Sequence, residues 1–169
     1  KFLATMLSNG GGVTRDPVES FAWMLRAARN GVPEAQYNVA VSLREGDGCV
    51  EDEHAAFEWF RAAAASSGGG RRTKTKALLA MGVCYEYGRG TEQNGERAFA
   101  MYREAAERGD PKGIAYLGTC YEQGLGVPQN LERFLDALEE ALPYGMHREF
   151  KVIPAAHKEW ADKLKSSVY

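Results

Sequence analysis

Residues 77–94 read ALLAMGVCYEYGRGTEQN, and residues 113–130 read GIAYLGTCYEQGLGVPQN. In the first stretch Ala77, Met81, Gly82 and Tyr85 fall on one face of a helix, and the second stretch repeats that face 36 residues later. Each stretch then continues into a Gly-x-Gly sequence, which is typical of a turn that ends a helix. The pair therefore predicts two copies of one helical unit.

The same turn recurs along the chain, with Gly-x-Gly at residues 10–12, 46–48, 88–90 and 124–126, at offsets of 36, 42 and 36. A residue whose side-chain oxygen can accept from the free N–H groups of a helix start follows each turn at the same offsets: Asp16, Asp52, Asn94 and Asn130. Each is a predicted N-cap. One unit is therefore helix A, a glycine turn, and helix B.

The predicted helices lie near residues 33–45, 74–87 and 111–123 for helix A, and near 17–30, 53–66, 95–108 and 131–142 for helix B. Helix B carries aromatic residues followed by an alanine pair, as in Phe57, Phe60, Ala63 and Ala64. A hairpin of this size cannot bury its apolar faces alone, but stacked copies can. The 169 residues, rich in alanine and poor in valine and isoleucine, therefore predict an all-α chain, a right-handed α-α superhelix of antiparallel helical hairpins with about 3.5 repeats.

The repeats are placed at about residues 1–31 (partial), 32–67, 77–109 and 113–145, so that the array covers 1–145. The six residues that make the second offset longer fall in 66–76, where Ser-Ser-Gly-Gly-Gly runs into basic residues, and we expect a mobile basic loop there. Over 146–169 an apolar stripe predicts a C-terminal capping helix, formed by Ile153, Ala156, Trp160 and Leu164. Because residues 2–7 already have the pattern of a helix interior, we expect the chain to be part of a longer protein.

Composition and charge narrow the function classes. The formal net charge of −2 gives no reason to expect a specific nucleic acid partner, and the longest apolar run, residues 77–84, is far shorter than the ~20 residues that span a bilayer. We therefore predict no specific nucleic acid partner and no membrane insertion. The three cysteines Cys49, Cys84 and Cys120 lack a Cys-x-x-Cys spacing and leave at least one thiol unpaired, which favours a reducing compartment such as the cytosol. The oligomeric state stays open.

The pattern A-x-x-x-[LM]-G-x-x-Y-x-x-G-x-G, followed by a polar cap and an alanine-rich helix, resembles the Sel1-like repeat family, which is related to the tetratricopeptide repeat. The third repeat carries it through Ala77, Met81, Gly82, Tyr85, Gly88 and Gly90, and the fourth through Leu117, Gly118, Tyr121, Gly124 and Gly126. The resemblance implies a surface that assembles protein complexes. A cysteine-rich branch of the family joins helix B to the next helix A by disulfides, but this chain has Ala63 with Ala77 and Ala105 with Gly113 at those places.

Residues with catalytic or ligand chemistry are few. No Ser-His-Asp order or phosphate-binding loop is present, and the Gly-x-Gly sequences join two helices instead of following a strand. Glu51, His54 and Glu58 could share one side of a helix, a spacing more typical of a solvated face than of a metal site. We therefore predict a chain that is not an enzyme and has no catalytic residue, metal or cofactor.

The predicted function is a non-catalytic scaffold or adaptor module that binds a protein or peptide in a concave groove formed by successive A helices. Tyrosine, arginine and polar residues outside the packing face are the candidate contacts: Tyr37, Asn38, Arg44, Glu86, Tyr87, Tyr116 and Glu122. A second candidate contact is the basic segment, with Arg71, Arg72, Lys74 and Lys76. The alternative is a regulatory or targeting arm of a larger enzyme whose catalytic domain lies outside this sequence.

Overall fold

A computed structural model describes residues 16–144 of the chain. In this range the protein is all-helical, which confirms the predicted fold class. Its helices are α1 (Pro17–Arg29), α2 (Pro33–Glu45), α3 (Glu53–Ala65), α4 (Arg71–Tyr87), α5 (Gly95–Glu107), α6 (Pro111–Gln123) and α7 (Leu131–Ala141), followed by a short 3₁₀ helix, Leu142–Tyr144. No helix within 16–144 combines the length and apolar character that crossing a membrane requires.

The four predicted N-caps are confirmed. The Asp52 carboxylate accepts a hydrogen bond from the Ala55 N–H at 2.8 Å. The side chains of Asp16, Asn94 and Asn130 accept in the same way, each from the residue three positions later. Because the cap satisfies an N–H group that has no partner inside the helix, it fixes where each B helix begins.

Each of the two positions in the Gly-x-Gly turn requires glycine for a different reason. Gly88 ends α4 in the left-handed region at φ 69°, where a side chain would be strained. Gly90 lies against the start of α3 in the preceding hairpin, and a Cβ there would overlap the Glu53 carbonyl. The same arrangement recurs at residues 46–48 and 124–126. The turn therefore both ends helix A and lets one repeat approach the next.

Each helix packs mainly against its neighbours in sequence, so the molecule is a linear array. The short loops between helices make consecutive helices antiparallel. Buried aromatic residues fill the interfaces, with Phe60, Tyr102 and Phe134 fully enclosed. Small residues let the helices approach them: a Cβ at Gly82 would overlap the Tyr102 ring.

The prediction of a mobile basic loop over 66–76 was wrong for its second half. Arg71, Arg72, Lys74 and Lys76 lie in the first turns of α4, and the connection to α3 is only residues 66–70. Of the six extra residues, four lengthen α4 to 17 residues, against 13 in α2 and in α6, and two lengthen the loop.

Tertiary contacts explain why the extension is helical. Thr75 is packed into the interior and only 2% exposed, while its hydroxyl is satisfied within α4 by donating to the Arg71 carbonyl at 2.8 Å. The Thr73 hydroxyl donates to the Glu34 carboxylate on α2 at 3.4 Å. Arginine and lysine are also good helix formers.

Several predictions fall outside the described residues. They are the helix over residues 2–7, the first Gly-x-Gly turn at 10–12, and the capping helix over 146–169 with Ile153, Ala156, Trp160 and Leu164.

Candidate functional site

The seven predicted groove residues lie on the three A helices. Tyr37, Asn38 and Arg44 are on α2, Glu86 and Tyr87 end α4, and Tyr116 and Glu122 are on α6. Asn38 and Tyr87 are exposed, and the other five are half-buried. We call these seven residues the A-helix surface.

Two of its residues contact a tyrosine that the sequence analysis did not include in the site. Tyr102, on α5, is completely buried, and its hydroxyl donates to the Glu86 Oε2 at 2.7 Å. The Tyr116 ring stacks on the Tyr102 ring with centroids 4.7 Å apart and an interplanar angle of 11°. The one sequence signal that distinguishes Tyr102 is a hydroxyl at a position where the preceding repeat has Phe60. A buried tyrosine hydroxyl needs a partner, and Glu86 is that partner.

The Glu86 carboxylate dominates the electrostatics of this cluster. Burial is the first cause, and the hydrogen bond to Glu86 the second, of a strongly raised pKa at Tyr102. Interaction with Glu86 through a hydrogen bond, and then through its charge, raises the pKa of Tyr87. Burial, followed by the Glu86 charge, raises the pKa of Cys120 to about 12. All three neighbours are therefore protonated at neutral pH, and the two tyrosines remain hydrogen-bond donors.

A second group of contacts lies on α2. The Tyr37 ring packs against the Phe60 ring with centroids 5.6 Å apart. The Lys76 Nζ lies 5.7 Å from the centre of the Tyr37 ring, and the Arg44 Cζ lies 5.8 Å from that of Phe60. Arg44 also pairs with Glu45 at 2.7 Å. This end of the A-helix surface therefore carries cations held over aromatic rings.

The charged residues of the A-helix surface occupy equivalent positions in their three helices. Arg44, Glu86 and Glu122 each stand two residues before the glycine that ends their helix. Burial raises the pKa of Glu122. The row therefore runs from a cation on α2 to carboxylates on α4 and α6.

Of the four basic residues in the first turns of α4, Lys76 is the one with a described contact to the A-helix surface, over Tyr37. The Arg71 guanidinium lies beside Gly109, in the loop between α5 and α6. Among ion pairs between residues of the described range, none involves Arg71, Arg72, Lys74 or Lys76.

The other candidates have structural contacts. The His54 Nδ1 lies 3.0 Å from the Gly90 carbonyl oxygen, which ties α3 to the following turn. Across residues 16–144 no three histidine, cysteine or acidic side chains are grouped as metal ligands would be.

The three cysteines are unpaired in the structure. The Cys49 thiol donates to the Ser42 carbonyl at 3.4 Å. Burial, followed by the charge of Asp47, raises the pKa of Cys49, and burial is also the first cause of a raised pKa at Cys84. A raised pKa lowers the thiolate fraction and so the reactivity of each thiol.

Comparison with protein families gives a match over most of the chain. The model described as Sel1 repeat matches residues 2–32, 33–67, 75–110 and 111–138. The second segment includes the hairpin α2–α3, and the third includes α5 and all of α4 except its first four residues.

Solved structures show the same architecture. A Sel1 repeat protein from Oxalobacter formigenes aligns with a TM-score of 0.75 and 30% identity, over 85% of this chain and 57% of that one. The cysteine-rich protein B of Helicobacter pylori aligns with a TM-score of 0.57 over 79% of this chain and 92% of that one; at 18% identity it shows the fold alone.

Among curated proteins, the chitin synthase regulator SKT5 of Saccharomyces cerevisiae is 38% identical over 50 residues. That alignment covers 30% of this chain and 7% of the yeast protein. The chain also spans little more than half of the Oxalobacter structure.

Proposed function

The chain belongs to the Sel1 repeat family, whose members are generally protein-interaction modules, and from that premise we propose that it is a non-catalytic scaffold that binds a protein or peptide segment along its A-helix surface. Such a segment would contact α2, α4 and α6 in turn. Its binding energy would then come from several repeats, as the linear packing of the array allows.

The observation that carries the proposal is the exposed Tyr87 beside a fixed polar cluster. Tyr87 is 61% exposed, although its ring is large and apolar, and the Arg89 guanidinium lies 5.4 Å from its centre. Next to it Glu86 and Tyr116 are held in place by the buried Tyr102. An aromatic side chain beside groups that need no rearrangement is the kind of anchor that dominates interface energies.

The charges on the A-helix surface favour one orientation of the bound segment. Arg44 and Lys76 supply positive charge near α2, whereas Glu86 and Glu122 supply carboxylates on α4 and α6. A segment whose acidic end lies toward α2 and whose basic or hydroxyl-bearing end lies toward α6 complements this arrangement.

A second candidate is that this module binds and regulates an enzyme. The similarity to a protein named as a chitin synthase regulator favours it. Both candidates use the same surface, so they differ in the partner and not in the contact residues.

The contact is tested by selecting peptides from a phage-displayed random library on the chain and measuring their affinities by calorimetry. Tyr116→Ala or Tyr87→Ala should weaken binding by about 1 kcal/mol or more with unchanged helicity. Tyr144→Ala is the matched control, because Tyr144 is 55% exposed but lies beyond α7. Equal affinity of Tyr87→Ala, Tyr116→Ala and Tyr144→Ala for every selected peptide would reject the A-helix surface as the binding site.

A further inference from the structure

A second surface with interface chemistry lies between α5, the end of α6 and the start of α7. It encloses a pocket of about 400 Å³ that we call the α5–α7 cleft. The cleft is lined by Phe99, Arg103, Tyr121, Val127, Pro128, Gln129, Asn130 and Arg133.

Two aromatic rings form a wall of the cleft, and a guanidinium lies over each ring. The Phe99 and Tyr121 rings meet edge to face, with centroids 5.6 Å apart. The Arg103 Cζ lies 5.8 Å from the Phe99 centroid, and the Arg133 Cζ lies 5.6 Å from that of Tyr121. The two cations are thereby brought to one pocket with an apolar wall.

Of the two arginines in the cleft, Arg133 has no ion pair among the described residues and Arg103 has one exposed ion pair. Arg133 donates from Nη1 to the Tyr121 hydroxyl at 3.1 Å, and no carboxylate of the described residues forms an ion pair with it. Arg103 Nε lies 3.7 Å from the Glu107 carboxylate, but both side chains are more than half exposed. Exposed pairs of this kind are weak and exchange readily with other partners.

The preceding repeat provides an internal comparison. At equivalent positions Phe57 and Tyr85 form the same edge-to-face pair, at 5.3 Å, and Arg97 lies over the Tyr85 ring at 5.6 Å. Arg61 stands where the cleft has Arg103. We call this region the α3–α5 surface.

The two regions differ in their acidic residues. On the α3–α5 surface Arg61 is paired with Glu58, and Glu92 lies in the turn. The α5–α7 cleft has Ala100 and Pro128 at those two positions. The aromatic pair and the two arginines are thus present in both regions, and one arginine in each region pairs with a glutamate of its own helix. In the cleft that pair is Arg103 with Glu107, which is long at 3.7 Å and more than half exposed, and the turn has uncharged Pro128 in place of Glu92.

We propose that the α5–α7 cleft binds an acidic segment of a protein partner. A carboxylate side chain of that segment bridges Arg103 and Arg133, whose planar guanidinium groups suit bidentate contact with carboxylates. An apolar side chain next to the carboxylate packs against Phe99, Tyr121 and Pro128. The cleft can bind such a segment whether or not the A-helix surface binds one.

The experiment follows the arginine Nε–Hε signals of the ¹⁵N-labelled chain by NMR. The probe is the peptide acetyl-Gly-Glu-Phe-Glu-Gly-amide, and its control has glutamine in place of both glutamates. The signals of Arg103 and Arg133 should shift and saturate with the acidic peptide and stay in place with the control. Equal shifts with both peptides, or no saturable shift, would overturn the proposal.

Variants locate the site. Replacing Arg103 and Arg133 together by Gln should lower the affinity for the acidic peptide about tenfold or more, because two charge-assisted contacts are lost. The matched pair Arg61→Gln and Arg97→Gln should leave that affinity unchanged. Introducing Ala100→Glu with Pro128→Glu keeps both arginines and should also abolish binding, since it restores the acidic residues of the α3–α5 surface.

Two further outcomes would contradict the proposal. If the matched Arg61 and Arg97 variant lost as much affinity as the cleft variant, binding would reflect general positive charge. If the Arg103 and Arg133 signals moved with protein concentration in the absence of peptide, the occupant would be a second copy of this chain.

Discussion

The order of the cluster formed by Tyr102, Glu86 and Tyr116 depends on the hydroxyl of Tyr102. This side chain is fully buried and donates to Glu86, which is itself half-buried. Tyr102→Phe keeps the ring and its stacking on Tyr116 but leaves the carboxylate without this donor. We expect the free energy of unfolding to fall by about 1–2 kcal/mol, as for a lost hydrogen bond to a charged group.

Urea denaturation of a double-mutant cycle with Glu86→Gln measures the coupling directly. The Tyr102→Phe effect should shrink when Glu86 is already neutral, because the cost comes from the unpaired charge. An unchanged effect of Tyr102→Phe in the Glu86→Gln background would mean that the hydrogen bond does not hold the cluster.

The buried thiol of Cys120 predicts a pH dependence of stability. Its folded-state pKa is raised from 9.0 to about 12, so between these values the folded state binds the proton that the unfolded state loses. Stability is therefore full below pH 9 and falls as pH rises toward 12. By pH 10 this group alone should cost about 1.4 kcal/mol.

Urea denaturation at pH 7 and pH 10 checks this, and Cys120→Ala should reduce the drop by that amount. Thiol counting under denaturing, non-reducing conditions should return three free thiols. A count of one would show a disulfide and contradict the unpaired state of the cysteines.

The N-terminal extension of α4 carries positive charges at the positive end of the helix dipole, where they are unfavourable. It has no side-chain cap and no acidic residue in its first turn, while Arg71 and Arg72 occupy the first two positions. Arg72→Glu should raise the free energy of unfolding by about 0.3–1 kcal/mol at low salt, and less at high salt. Arg72→Gln, which only removes the charge, should give a smaller gain. A mobile loop at this place would show no gain in either variant.

The packing of α4 on α5 depends on a small residue at Gly82. A Cβ there would overlap the Tyr102 ring, which cannot retreat because it is enclosed and stacked on Tyr116. Gly82→Ala should therefore lower the free energy of unfolding by about 1–3 kcal/mol through overpacking, despite the better helix propensity of alanine. Gly68→Ala is the control, since nothing lies within 4 Å of its Cβ position, and it should be neutral within about 0.5 kcal/mol. Equal denaturation midpoints for the two variants would contradict this packing.

Sequence determines the bounds of these helices well because local signals set most of them. The N-cap Asn94 and the left-handed Gly88 each act within a few residues, and both were predicted from spacing alone. The start of α4 was not, because its helix is fixed by tertiary contacts of Thr73 and Thr75 that no local pattern shows. Tyr102 was missed as a site residue for the same reason: its partner Glu86 lies on another helix.

Across residues 16–144 the repeats form one linear array that carries the A-helix surface and the α5–α7 cleft. The A-helix surface combines the exposed Tyr87 with a row of charges, and the α5–α7 cleft adds two arginines over aromatic rings. In a stacked array a partner can cross several repeats and gain affinity from each. Family membership and helix order were accessible from sequence because they follow from periodicity, whereas the charge difference between cleft and α3–α5 surface required knowing which side chains meet.

The central claim is that one bound segment crosses several A helices, and photo-crosslinking tests it most directly. The photoreactive residue p-benzoylphenylalanine is placed at Asn38 on α2 or at Tyr87 on α4, both exposed, with exposed Val18 on α1 as the control position. We predict that a selected peptide crosslinks from Asn38 and from Tyr87, at different points along its sequence, and not from Val18. Crosslinking from only one of the two A-helix positions, or equally from Val18, would contradict binding along the A-helix surface.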